Sequence, residues 1–123
     1  MILNSNGGES MTEEDLKSIH FIKLEIERIR KVLAGIAETG RNARQKQEYA
    51  EFLRRNEAEL LRKKIELETL ISKIDDAEIR LILKLKFVDF RSWNYIARTM
   101  HFDRSTVYKK YKKFINKEQT NDK

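Results

Sequence analysis

Apolar residues recur along the first half of the chain at alternating intervals of three and four. Ile19, Ile22, Ile26, Ile29, Leu33 and Ile36 form one such series, flanked by the charged residues Lys23, Glu25, Glu27, Arg28, Arg30 and Lys31. That spacing is the heptad seam of an amphipathic helix. Thr12-Glu13-Glu14-Asp15 supplies its start, with Thr12 as N-cap and acids in the first turn, and Gly40 is the natural residue to end it. A polar connection, Asn42 to Lys46, leads to a second periodic helix carrying Leu53, Leu60, Leu67, Leu70 and Ile74. Asn56 and Lys63 interrupt this seam, at a cost in stability that fixes register and partner. So short a connection predicts an antiparallel helical hairpin, a coiled coil over residues 12–74. A hairpin buries only one narrow stripe. It is expected to gain burial by self-association, by packing on the rest of the chain, or from a partner. A homodimer would use Ile19, Ile22, Ile26, Ile29, Leu33, Leu53, Leu60 and Leu67.

The second half changes rhythm. Asp75 or Asp76 can cap a helix whose apolar positions Ile79, Ile82, Leu83, Leu85 and Phe87 lead to Val88. Asp89-Phe90-Arg91 reads as a loop, Ser92 as the cap of a helix Trp93 to Met100, and His101-Phe102-Asp103 as a three-residue turn. Asp103 then caps a last helix that carries Arg104, Lys109, Lys110, Lys112 and Lys113. Two short helices around such a turn, the second one basic, are the pattern of a helix-turn-helix. Ala97 is the small residue that a close helix crossing needs; Ile96, Met100, Phe102, Val107 and Tyr111 would form the core, with Trp93 between the helices. Residues 75–117 are therefore expected to form a DNA-binding domain, residues 1–11 a disordered lead-in and 118–123 a disordered tail. With no proline and no strand alternation, the fold class is all-α.

Charge sharpens this division. The chain of 123 residues has a net charge of +6, yet Lys84 to Lys123 holds eleven Lys/Arg against four Asp/Glu while the rest holds fifteen against sixteen. Positive charge confined to the C-terminal third is the footprint of a polyanion partner. A membrane surface is the competing polyanion, but the basic helix interleaves Tyr108 and Tyr111 with lysine and lacks a broad Leu/Trp face. The absence of cysteine excludes disulfides and thiolate metal sites. No apolar run approaches the roughly 20 residues of a membrane span, and Met1 to Met11 lacks the features of a signal peptide, so a cytoplasmic protein is expected. His20 and His101 have no spaced ligand set, and helix capping accounts for the acids Asp75, Asp76 and Glu78. No nucleophile–base pair or phosphate-cradling glycine loop is present. Neither an enzyme nor a cofactor or metal protein is expected.

Binding chemistry concentrates on the last helix. Arg104, Ser105, Tyr108, Lys109 and Lys112 fall on the face opposite Val107, Tyr111, Phe114 and Ile115. Arg104 has the planar fork that reads guanine O6 and N7, and Lys109 can read a guanine as well. Ser105 can reach a base edge or a phosphate, and Tyr108 a thymine methyl or a phosphate. Lys110, Lys112 and Lys113 neutralise phosphates. Thr106, beside Ser105, completes the expected double-stranded DNA contacts. Taken alone, a Lys-rich amphipathic helix is more often a solvated face. The matching helix, turn and capping Asp before it favour DNA.

From Ile79 onward, I-R-L-I-L-K-L-K-F-V-D-F-R-S-W-N-Y-I-A-R-T-M-H-F-D-R-S-T-V-Y-K-K-Y resembles the fourth region of bacterial sigma factors. It looks most like the phage and prophage late-transcription regulators of the RinA and ArpU type, which join such a domain to an N-terminal coiled coil. The likeness covers about the last 45 residues and is most specific in S-W-x-x-I-A and D-R-S-T-V-Y. It implies a three-helix DNA-binding domain in which Arg104, Ser105, Tyr108 and Lys109 read a promoter, and an activator that works with RNA polymerase. His101 stands where glycine is usual in the turn, so either it takes a left-handed conformation at some cost or the turn differs. Two other classes fit the same modules. One is a DNA-packaging subunit of the small terminase kind; the other is a protein-interaction module that binds polymerase without DNA.

Overall fold

The computed structural model describes residues 11–121 and is all-helical there. Five α-helices follow in order: α1 (Glu13–Gly35), α2 (Ala43–Ser72), α3 (Ala77–Leu83), α4 (Trp93–Met100) and α5 (Arg104–Asn121), with a π-helical turn, Lys84–Val88, directly after α3. No strand occurs among the described residues. None of their helices is long and apolar enough to cross a membrane.

The chain divides into two compact units, Met1–His20 with Leu67–Lys123, and Phe21–Glu66. The division cuts both long helices, so the boundary expected at residue 75 is not where the packing divides. In the first unit the start of α1 and the end of α2 share a core with α3, α4 and α5. Leu16, Ile19, Ile71, Ile82, Leu83, Ile96 and Val107 are fully buried there. Met11, expected in the lead-in, is buried too; residues 1–10 lie outside the described part. The tail expected from residue 118 is likewise helical as far as Asn121, and the last two residues lie outside the described part.

Caps set where the helices begin. Thr12 and Asp15 form a reciprocal box: the Asp15 N–H donates to Thr12 Oγ1 and the Thr12 N–H to Asp15 Oδ2, each at 3.1 Å. Asp76 Oδ1 accepts from the N–H groups of Glu78 (3.0 Å) and Ile79 (3.1 Å), opening α3. Ser92 Oγ accepts from Tyr95 N–H at 3.1 Å, opening α4. Where α2 ends, Arg80 Nη1 donates to the Ile74 carbonyl at 2.5 Å, satisfying a group the helix itself leaves free.

In the second unit α1 stops at Gly35, five residues before the expected Gly40. The Ile36 N–H turns back to the Leu33 carbonyl at 3.3 Å, a tightened last turn. Gly40, at φ +78°, instead bends the connection, and its carbonyl accepts from Ala43 N–H at 3.2 Å. The connection is thus residues 36–42, and Gln47 Nε2 donates to the Glu38 carbonyl within it at 3.0 Å. Ile26, Ile29, Ala50 and Leu53 are the buried residues of this unit. Arg30 Nε–Glu57 Oε2 at 2.5 Å and Arg54 Nη2–Glu38 Oε2 at 2.7 Å pair the two helices beside them.

The chain itself takes up part of the seam expected to meet a second copy. Ile26, Ile29 and Leu53 in one unit, and Ile19 and Leu67 in the other, are buried by the chain itself, while Ile22, Leu33 and Leu60 are half-buried. Of the eight residues expected at a dimer contact, Ile22, Leu33 and Leu60 keep partial exposure.

Candidate nucleic-acid interface

The geometry of α5 starts with how α4 ends. His101 has φ 62° and ψ 41°, the left-handed region, and its N–H donates to the Arg98 carbonyl at 3.3 Å, while the Phe102 N–H reaches back to the Ala97 carbonyl at 2.9 Å. Those two bonds are a Schellman motif, ordinarily closed by glycine. A side chain in this conformation costs roughly 1–2 kcal/mol, and histidine is among the residues that enter it more readily. Of the two alternatives for the turn, the left-handed one holds. Asp103 follows, its carbonyl accepting from Val107 N–H at 3.1 Å, the first bond of α5.

With its start fixed, α5 buries Val107, Tyr111 and Ile115 and half-buries Thr106 and Phe114. Tyr111 Oη donates to the Glu13 carboxylate, which ties the beginning of α1 to this helix. Burial, and then that carboxylate, push the Tyr111 hydroxyl well above the usual tyrosine range. Arg104, Ser105, Tyr108, Lys109 and Lys113 are exposed, and Lys112 is half-buried. Arg104, Tyr108 and Lys112 succeed one another at intervals of four, hence along one line of the helix.

Lys110 departs from its expected role. Its Nζ lies 3.0 Å from Glu78 Oε1 and 5.5 Å from the Phe102 ring centroid, so its charge is already engaged by α3. Glu78 sits in the first turn of α3, and local sequence marks it only as a capping acid.

Aromatic rings join α5 to its supports. Trp93 meets Tyr108 edge-on at 5.3 Å and Tyr111 at 5.2 Å, and Phe87 meets Tyr111 at 5.6 Å. Trp93 is half-buried rather than fully enclosed. Lys86 Nζ lies 4.9 Å from the Trp93 centroid, and Arg91 stands 4.7 Å from that of Tyr95. Lys86 is a contact that the sequence pattern does not announce. Eighteen positions separate it from Arg104, and no local spacing links the two. Burial, and then the charge of Arg104, hold the Lys86 ammonium below the usual lysine range.

No group of three or more His, Cys, Asp or Glu able to hold a metal ion occurs among the described residues. What the site offers is cationic and aromatic: donors for phosphate oxygens and base edges.

The family described as "Protein of unknown function (DUF1492)" matches residues 44–119, more than half of the chain. The chain belongs to the DUF1492 family. The DUF1492 match runs from the first turn of α2 into the last turn of α5, so it includes α4, the turn and α5 as far as residue 119. No curated protein and no solved structure matches the chain.

Proposed function

We propose that the protein is a sequence-specific DNA-binding transcriptional regulator, in which α4 and α5 act as a helix-turn-helix and α1 and α2 as an antiparallel coiled-coil hairpin. The observation that carries the reading is the two-sidedness of α5. Val107, Tyr111 and Ile115 are buried while Arg104, Ser105, Tyr108 and Lys109 stand exposed along its N-terminal half. In a helix-turn-helix that half of the second helix is the part that enters the major groove. Arg104 and Lys109 then read bases, Ser105, Thr106 and Tyr108 add base or backbone contacts, and Lys112 and Lys113 neutralise phosphates. The likeness to sigma region four and to the RinA and ArpU regulators extends the proposal to a phage or prophage activator that works beside RNA polymerase.

Fluorescence anisotropy with labelled duplexes selected from a genomic pool tests this. Arg104→Ala with Lys109→Ala is expected to weaken binding to selected sites, each lost base contact contributing on the order of 1–3 kcal/mol of discrimination. Unaltered affinity, or affinity independent of salt, would sink the proposal. Light scattering addresses the packaging alternative, which predicts a large ring. Polymerase capture without any DNA binding would favour the interaction module.

A further inference from the structure

The unit Phe21–Glu66 has two unlike flanks. Its seam runs through half-buried Ile22 and buried Ile26 and Ile29 on α1, and through buried Ala50 and Leu53 on α2. Phe21 comes one residue before Ile22, Tyr49 one before Ala50 and Phe52 one before Leu53. One residue is a rotation of about 100°, so all three stand beside the seam in the same sense. In an antiparallel pair, the arrangement proposed above for α1 and α2, a half-turn that exchanges the two helices leaves each flank facing the same way. The three rings therefore share one flank, with exposures of 66% for Phe21, 46% for Tyr49 and 51% for Phe52. Arg30 and Arg54, which pair with Glu57 and Glu38, come one residue after Ile29 and Leu53 and so lie on the opposite flank. Of the exposed large hydrophobics in this unit, only Leu24 and Ile65 fall outside the aromatic flank.

Exposed apolar rings gathered on one side of a helix pair mark an interaction surface rather than scattered exposure. The charges beside the rings say what fits it. Glu25 and Arg28, both exposed, come one residue before Ile26 and Ile29, and exposed Glu59 and Lys63 continue the line of Phe52 along α2. Two acids and two bases leave the flank neutral, so it selects neither a polyanion nor a strongly basic partner. It is complementary to itself. A two-fold axis reverses residue order across an interface, which sets Glu25 of one chain toward Arg28 of the other and Tyr49 toward Phe52.

We infer that this aromatic flank is where two copies of the chain join in a two-fold dimer, with Tyr49 and Phe52 at the centre and Glu25 and Arg28 beside them. Four helices packed in this way enclose rings that two helices leave in water. The contact lies beside the seam rather than in it, and it rests on the antiparallel pairing of α1 and α2, not on DNA. Where the DNA-binding reading also holds, the dimer carries two copies of α5, and its DNA site has two half-sites related by the same axis.

Sedimentation velocity of the full chain over a concentration series, with no DNA present, tests the inference. The wild type is expected to become dimeric as concentration rises. Tyr49→Gln with Phe52→Gln should raise the dimer dissociation constant by on the order of a hundredfold, the effect of removing central aromatic anchors. Helix content by circular dichroism should stay as in the wild type, because both rings are exposed in the single chain. Charge reversals report on the axis and serve even if the aromatic variant loses helix. Glu25→Arg and Arg28→Glu should each weaken the dimer, since each sets like charges against one another twice. An equimolar mixture of the two should regain it, because the mixed dimer restores both opposite pairs. A wild type that stays monomeric, an assembly of more than two chains, a dimer indifferent to the aromatic substitutions, or a mixture no better than its components overturns the inference. Each of those results leaves DNA binding to be judged by anisotropy. A dimer that passes these tests and binds no duplex overturns the DNA-binding reading and leaves this one standing.

Discussion

The two units differ in how many sides their helices are covered from. Fourteen of the eighteen buried hydrophobic residues lie in the unit that holds α3, α4 and α5, and four lie in Phe21–Glu66. Exposure runs the other way: Phe21, Leu24, Tyr49, Phe52 and Ile65 are the exposed large hydrophobics of Phe21–Glu66. Two helices alone can shield only the stripe along which they touch, so apolar side chains outside it have nowhere to go. Helices packed in a group of five segments enclose residues from several directions. The first unit is therefore built to hold one geometry, which the proposed base-reading role of α5 would need. The second relies on a narrow seam and on ion pairs at its edge.

The largest expected effect tests that contrast directly. Leu83→Ala, at a site with no exposure, should destabilise the protein by an amount toward the upper end of the ~2–5 kcal/mol range for buried leucines, and Leu53→Ala toward the lower end. The seam beside Leu53 is open on its flanks and can collapse or hydrate, while the surroundings of Leu83 cannot. Denaturant unfolding monitored by circular dichroism measures both, and equal losses would erase the distinction.

Tyr111 sharpens the picture within the first unit. Tyr111→Phe removes the hydrogen bond to Glu13 and should cost about 1.5–3 kcal/mol, the range for bonds to charged partners. The pH dependence has a definite sign. The folded hydroxyl titrates above its unfolded value near 10, so its contribution is complete below about pH 10 and is lost as pH rises beyond it. Denaturation midpoints should fall in that alkaline range for the wild type and fall less for Tyr111→Phe. Identical alkaline profiles would remove Tyr111 as the tie between α1 and α5.

Local chemistry explains which features were legible in the sequence. The caps Asp76 and Ser92, the loop at Asp89-Phe90-Arg91 and the buried line Val107–Tyr111–Ile115 all depend on neighbours within one or two turns, and the spacing shows them. Gly35 and Gly40 illustrate the limit: both can end a helix, and the choice depends on where the seam runs out of partners. The π-helical turn is invisible because Lys84–Val88 has an ordinary helical composition and its extra residue is a matter of hydrogen-bond register. Lys110 on Glu78 arises from a contact far apart in sequence, and Lys86 beside Trp93 from one across a break between helices, which no periodicity encodes. At the candidate site, then, the exposed edge of α5 and its packing on α4 were readable, while the contacts it takes from α3 and the π-helical turn were not. Sequence patterns report which side of a helix faces out, but not what reaches that side from elsewhere.

The smallest expected effect concerns the ion pairs of the second unit. Arg30 and Arg54 are each more than half exposed in their pairs with Glu57 and Glu38. Water competes for such partners and salt screens them, so replacing either arginine by alanine should cost no more than about 0.2–1 kcal/mol. The loss should also shrink as ionic strength rises, because the Debye length falls from ~10 Å at 0.1 M to ~3 Å at 1 M. Unfolding of Arg30→Ala and Arg54→Ala in low and high KCl measures it. A salt-insensitive loss of several kcal/mol would mean that the arginine stems cover apolar surface along the seam. The second unit would then owe its cohesion to packing after all, and the two units would differ in degree rather than in kind.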